Sequence, residues 1–275
     1  MNYLHGGYRA SGHITNPDML YTLSTCIRDV TRFIDLYEWR RLNDMERCAI
    51  GTFWKSIGDA MQIEYTGLLS KTEWTDGIDF AEDISEWSRQ FEVVKMVPAP
   101  TNRAPSRALL DMMTFHVPKR LKPFADEVLA VLMGDRVRDA FFIAEPGIFA
   151  GLVAFAALNL RKMYLRYFSL PRFSPVELFD EDKVTGRIYH YEYLVDPWYH
   201  KATFWSRWGP MGLFTWVLGG KVPGSETRTM PEGFLFEELG PAAKMWKGKK
   251  VTDSHEKRLR AERMSGCPFA SRMGN

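Results

Sequence analysis

Residues 5–22, HGGYRASGHITNPDMLYT, decide how the rest of the chain is read. Asn16-Pro17-Asp18 is a turn or N-cap signal, and proline suits the first helical turn, where a missing N–H breaks no intrahelical bond. Leu20, Leu23, Ile27, Val30, Ile34 and Tyr37 then recur at steps of three and four, one apolar stripe running over about five turns. The spacing predicts a long amphipathic helix, and the same pattern recurs along much of the chain.

Asn43, with Glu46 three residues later, has the form of a capping box and opens a second helix. Cys48, Ala49, Thr52, Phe53, Ile57, Ala60 and Met61 share one of its faces. A third helix is expected over 75–96, with Ile78, Ala81, Ile84, Trp87, Ser88, Phe91 and Val94 inward. Pro98 and Pro100 end it, because proline cannot continue the hydrogen-bond ladder and restricts the residue before it. Shorter helices are expected at 105–116, 123–133 and 136–142. The least polar run, PGIFAGLVAFAALNL at 146–160, carries no charge. A membrane span takes about 20 such residues, so this run is expected to be buried or to lie along a membrane rather than cross it.

After Pro171 the character changes. Residues 172–187 are expected to form a loop over the core with a turn at Thr185-Gly186. Tyr189, Tyr191, Tyr193 and Val195 alternate with His190, Glu192 and Leu194, which is strand spacing without an evident partner. Residues 198–216 hold Trp198, Trp205, Trp208 and Trp216 among basic residues, expected as a tail packed on the core or as a membrane-interface anchor. A short helix is expected near 254–264. The expected fold is all-α: a single multi-helix domain over residues 1–170, then an irregular, aromatic-rich and charged tail over 171–275.

Composition narrows the function classes. With 275 residues and a net charge of +2, the chain can bury a sizeable core and carries no global field for nucleic acid. Aromatic residues reach 14%, nine of them tryptophan, which points to an apolar pocket, a membrane interface or both. Three widely spaced cysteines (Cys26, Cys48, Cys267) give no disulfide framework and suit a reducing, cytosol-facing environment. The N-terminal residues MNYLHGGYRASG lack the apolar core of a signal peptide.

Few residues offer chemistry. His5 and Arg9 stand four apart and share a face if the segment is helical. A neutral imidazole is an iron ligand, and an arginine beside it pairs with a haem propionate or holds the ring in place. Gly6 and Gly7 weaken such a helix while letting a flat ring approach the backbone. On the residues alone, a single histidine near a terminus reads first as a surface or structural group. His13, His190, His200 and His255 have no histidine or cysteine partner at ligand spacing, and His116 reads as a helix-end residue. There is no HExxH, no Walker spacing and no GxSxG. Asp76/Asp79 and Glu82/Asp83/Glu86 read as the solvated face of a helix rather than an acid–base pair. Cys267, in Gly266-Cys267-Pro268, is a further thiolate candidate in the tail.

HGGYRASGHITNPDMLYTLS, with YEWRRLNDMERCAIGTFWKSIGDAM after it, resembles the catalytic domain of the mpaB-type ER-bound oxygenases and the rubber oxygenases. DGIDFAEDISEWSRQFEVVKMVPAPTNR, LVDPWYHKATFWSRWGPMGLFTWVLGG and GCPFA extend the resemblance over nearly the whole chain. It lies in the order and number of segments rather than in any one motif. In the rubber oxygenase branch the His-x-x-x-Arg segment supplies the proximal haem ligand. The resemblance therefore implies haem b held by His5, with Arg9 beside it and Ile14-Thr15-Asn16-Pro17-Asp18-Met19 after it. It also implies an oxidoreductase that uses dioxygen to oxidise or cleave an apolar, isoprenoid-like substrate at the cytoplasmic face of the endoplasmic reticulum or in the cytoplasm. Because the resemblance begins at this histidine, the helices that precede it in the family are expected to be missing. The alternative is a non-catalytic, membrane-peripheral member that binds a lipid or a partner.

Overall fold

The computed structural model describes residues 2–174, 176–193, 195–240 and 243–263. They contain eleven α-helices and one two-stranded sheet, an all-α fold as the periodicity predicts. Cys267 and the GCPFA segment lie outside the described residues, as does Leu194. The helices fall into two compact units. The described residues of Met1–Val97, Phe155–Ser169 and Lys247–Asn275 form the first; those of Pro98–Ala154 and Leu170–Trp246 form the second.

The first unit begins with α1 (Asn2–Ala10) and α2 (Asn16–Tyr37). The cap of α2 falls one residue earlier than its turn signal. Thr15 accepts the Asp18 N–H on its side chain, and the Asp18 carboxylate accepts the Thr15 N–H at 2.9 Å. This reciprocal pair leaves Asn16 and Pro17 in the first turn. Met19, Leu20, Leu23 and Ile27 are buried, but Val30 is 46% exposed, so the apolar stripe outruns the core. The last carbonyls of α2 are met by basic residues of α8 (Ile148–Tyr167): Arg161 donates to the Tyr37 carbonyl at 3.2 Å and Lys162 to that of Leu36. Cations suit the negative end of a helix dipole.

The capping box of α3 (Asp44–Ala60) forms as its sequence predicts. Asn43 accepts the Glu46 N–H, Glu46 accepts the Asn43 N–H, both at 2.9 Å, and Arg40 grips the same carboxylate with two bonds of 2.7 Å. The bonds from Arg40 and the Asn43 backbone pull the Glu46 carboxyl down to about 2.

The inward face of α3 is not the one expected, although Ile50 and Trp54 pack against the core. Phe53 is exposed, while Gly51, Lys55 and Gly58 are buried. Gly51 meets Gly77 at the start of α4 (Gly77–Lys95) so closely that a Cβ on Gly51 would sit 1.9 Å from the Gly77 carbonyl oxygen. A Cβ on Gly77 would reach within 2.1 Å of the Cys48 oxygen. Lys55 lies over the rings of Tyr65, Trp74 and Phe80 at 5.1, 5.6 and 5.9 Å and donates to both Asp59 oxygens. The three rings meet edge to face around it, so the buried ammonium is held by ring faces and one carboxylate.

Nor are the acids of α4 simply its solvated face. Asp76 caps the helix by accepting the N–H groups of Ile78 and Asp79, both at 2.9 Å. Asp83 is buried between Phe80 and Ile84, themselves fully enclosed. It accepts hydrogen bonds from the Ser70 N–H and hydroxyl, the Lys71 N–H and the Trp74 indole, at 3.2, 2.7, 3.2 and 2.9 Å. Burial alone pushes this carboxyl up, but the bonds from Ser70, Trp74 and Lys71 outweigh it and hold it below its ordinary value. The loop between α3 and α4 is thereby pinned to the core.

In the second unit, α5 (Arg103–Met113), α6 (Lys122–Leu132) and α7 (Asp135–Phe141) succeed one another closely. The strand expected near Tyr189 is β2 (Ile188–His190), and its partner lies in the segment expected as a loop. β1 (Phe179–Glu181) pairs with it antiparallel, Phe179 opposite His190 and Glu181 opposite Ile188. A bridge from Ile188 to Phe234 extends the ladder. The aromatic stretch is helical rather than irregular, forming α9 (Phe204–Trp208) and α10 (Pro210–Val217). The final helix, α11 (Lys249–Arg263), belongs to the first unit.

Of the two settings expected for the apolar run, buried or lying along a membrane, the structure does not support the first. In α8 only Ala150 and Ala154 are buried, and Phe149 is 69% exposed, so this is not a core helix. By length and composition it is the one described helix that could cross a membrane.

Two substitutions probe the first unit. Gly51→Ala forces α3 from α4 and costs about 2 kcal/mol or more, read as a lower denaturant midpoint with unchanged slope. Asp83→Ala strands four donors and costs about 3 kcal/mol at neutral pH. Because the folded Asp83 carboxyl lies below its ordinary 3.8, its contribution is complete above that pH and fades as pH falls through the depressed value. The wild-type advantage over Asp83→Ala therefore narrows in acid, and a gap independent of pH contradicts the assignment.

Candidate functional site

The segment with His5 and Arg9 is a helix despite Gly6 and Gly7. Its stability comes from where it docks. The C-terminal end of α3 leaves the carbonyls of Ala60, Met61 and Gln62 without helical partners, and Gln62 turns the chain with a left-handed φ of 58°. Asn2 Nδ2 donates to the Ala60 oxygen at 2.8 Å, and Arg9 Nη1 and Nη2 donate to the Met61 and Gln62 oxygens, each at 3.1 Å. Arg258 of α11 adds a bond of 3.3 Å to Ala60. Two arginines and an asparagine thus cap one helix end, where the dipole favours positive charge. Tyr3 lies close against Gly248, where a Cβ would come within 2.4 Å of its ring. At the other end of α1, the N–H groups of His13 and Ile14 both donate to the Tyr8 carbonyl and lead the chain into the cap of α2.

His5 sits on this clamped helix, one turn before Arg9. Its side chain is half-buried and its Nδ1 is shielded from solvent. A Cβ on the neighbouring Gly6 would meet nothing within 4 Å, so the helix is open to solvent at that position. By its chemistry a neutral imidazole would be able to hold an iron ion. Arg9 is different: its guanidinium is engaged with two backbone carbonyls, and in this arrangement it fixes α1 rather than offering itself to a propionate. The residues present thus fit a single haem ligand on a positioned helix. Ser11 holds His13 by a bond of 2.8 Å between its Oγ and the ring Nδ1.

The structure also brings together groups that spacing does not reveal. In the second unit a cavity of about 540 Å³ is walled by Phe179, His190, Tyr199, Phe234 and Phe236, with Glu181 at its edge. Strand geometry explains half of it: Phe179 and Glu181 alternate onto one face of β1 and stand opposite His190 and Ile188. Tyr199 and Phe234 pack at 4.6 Å between centroids, and His190 meets Phe179 at 4.7 Å. His200 lies nearby, with burial pushing its imidazole below its ordinary value. A second cavity in this unit, about 580 Å³, is more polar. Arg107 there pairs with Asp111 and Asp126 at 2.6 and 2.9 Å, and Arg103 covers the Phe142 ring at 4.4 Å. Among the described residues no three histidine, cysteine or acidic side chains converge as a metal site.

No family model and no solved structure matches the chain. Curated relatives do. Over 272 residues, 97% of this chain, it is 37% identical to the protein named ER-bound oxygenase mpaB' of Penicillium brevicompactum, of which it covers 64%. It is 38% identical over 226 residues, 81% of its length, to ER-bound oxygenase mpaB of the same organism, covering 51% of that protein. The mpaB protein of Penicillium roqueforti (strain FM164) is 42% identical over 144 residues, 52% of this chain and 48% of the relative. The chain therefore spans between about half and just under two thirds of these relatives. With likeness at this level over 97% of its length, the chain belongs to the mpaB-type family, whose curated members carry the name ER-bound oxygenase.

Proposed function

We propose that this chain acts as an oxygenase that uses dioxygen to oxidise an apolar, isoprenoid-like molecule, working at the cytoplasmic face of the endoplasmic reticulum membrane. The observation that carries the proposal is the His5 helix. A half-buried imidazole on a helix clamped through Asn2 and Arg9 to the end of α3 supports a role as a ligand better than one as a loose surface group. The names of the relatives supply the reaction class.

In this reading His5 would be the residue that holds haem b, and Arg9 acts by fixing the helix that carries it. Haem supplies the activation of dioxygen, which side chains alone do not provide. The chain's own contribution is to orient the imidazole and to present apolar walls to the substrate. When an alkene is cleaved, its carbon–carbon double bond breaks and each oxygen atom of dioxygen ends in one of two carbonyl groups. Taken by itself, the cavity around Phe234 and His190 in the second unit has a mostly apolar lining with few polar groups, the kind of surface an apolar molecule prefers. A non-catalytic, membrane-binding role is the second reading, favoured by the exposed apolar side chains of α8, α9 and α10.

Titration of the purified chain with hemin tests the proposal. A saturable Soret band that shifts on reduction is expected for the wild type. His5→Ala should lose or alter it, and added imidazole should restore the spectrum in that variant while leaving the wild type unchanged. Identical, non-saturating binding by both proteins would remove His5 as the ligand and leave the membrane-binding reading.

A further inference from the structure

Between Asp196 and Glu226 the chain carries no acidic residue, yet it holds Lys201, Arg207 and Lys221 and four tryptophans. The centre of this stretch folds as α9 and α10, joined at Gly209. Thr203 caps α9 by accepting the Ser206 N–H at 3.1 Å, and Pro210 starts α10. The junction is tight: a Cβ on Gly209 would lie 2.4 Å from the Trp205 oxygen, and one on Gly212 would lie 2.5 Å from the Arg207 oxygen. The two helices therefore form one compact corner.

What this corner shows to solvent is out of keeping with water. Trp205 is 74% exposed, Met211 and Val217 each 73%, and Phe204, Trp208, Phe214 and Trp216 are exposed beside them. The sequence of α10, PMGLFTWV, has no charged residue, and Gly212 is its one buried position. A helix apolar on all sides belongs in a core or in lipid. At eight residues α10 is about 12 Å long, far short of the ~30 Å hydrocarbon core, so it cannot span. Three indoles and two phenyl rings in fourteen residues, 204–217, match the composition of the headgroup boundary, where amphipathic rings settle. Arg207, between Trp205 and Trp208, makes no ion pair among the described residues, and its Nε is shielded without a hydrogen-bond partner. The nearby cations are committed elsewhere: Lys221 pairs with Asp196 and Glu226, and Lys201 lies over the Tyr189 ring.

We propose that the α9–α10 corner inserts into one leaflet of a phospholipid bilayer, with the exposed rings at the headgroup and upper acyl level and Arg207 taking a lipid phosphate. A protein partner would satisfy the apolar surface equally, but it would not explain an acid-free stretch around an unpaired guanidinium. The inference rests on the membrane association proposed above and gives it a place distinct from α8.

The test is cosedimentation of the full chain with phosphatidylcholine vesicles, with and without added phosphatidylserine, and tryptophan quenching by brominated phosphatidylcholine. The wild type should bind, more tightly with the anionic lipid, and be quenched. A variant with Trp205→Ser, Trp208→Ser and Trp216→Ser should lose binding by about tenfold or more, with its far-UV circular dichroism retained. Arg207→Gln should lose the preference for phosphatidylserine. A parallel α8 variant, Phe149→Ser with Leu152→Ser, should bind as the wild type does. If the α8 variant loses binding and the tryptophan variant keeps it, the corner is not the contact, although membrane association stands. If the wild type ignores vesicles of both kinds, or forms a concentration-dependent oligomer through these tryptophans, the insertion proposal is overturned, and vesicle indifference removes the membrane reading with it.

Discussion

The contact between Gly51 and Gly77 is the constraint from which the first unit is built. Backbone touches backbone there, and a single methyl group on either side has nowhere to go. This approach sets α3 against the start of α4 and brings Lys55 over the three rings of Tyr65, Trp74 and Phe80. It also fixes where α3 ends. That end is a row of carbonyls, and the carbonyls are what Asn2 and Arg9 grip. The position of His5 is thus inherited through a short chain of contacts from a glycine pair far from it in sequence. Dispersion and burial stabilise the core, but it is hydrogen bonds to otherwise unmatched backbone groups that place the candidate ligand.

Buried charge is handled the same way throughout this unit. Arg28 pairs with Glu92 and donates to Ser88, and Tyr21 donates to the same Glu92 carboxylate at 3.1 Å. Burial together with that carboxylate pushes the Tyr21 hydroxyl up to about 12. Asp83 collects four donors. Each of these enclosed charges has its partners, as the cost of an unmatched one demands.

Some of this was legible in the sequence and some was not, for definable reasons. Helix starts were readable because capping is local: Asn43 with Glu46 is a four-residue signal, and the structure forms it as written. The inward half of α2 was readable because large apolar residues mark it. The inward face of α3 is hard to read because its buried positions are two glycines and a lysine, which a hydrophobic pattern does not count. Asp83 reads as solvent-facing in sequence because nothing in α4 alone announces the donors at Ser70, Lys71 and Trp74. The clamp on α1 was hidden for a similar reason, since Arg9 and its acceptors are about fifty residues apart in the chain. The partner of β2 was hidden by the shortness of β1. Resemblance named His5; only the fold gave it a fixed setting.

Arg9 positions the His5 helix on the end of α3, and the candidate site depends on that clamp. Hydrogen exchange measured by mass spectrometry, comparing the wild type with Arg9→Ala, tests it directly. Peptides covering Asn2–Ala10 should lose most of their protection in the variant, while those covering α2, α3 and α4 keep theirs. Unchanged protection over Asn2–Ala10, or an equal loss across all four helices, would contradict it.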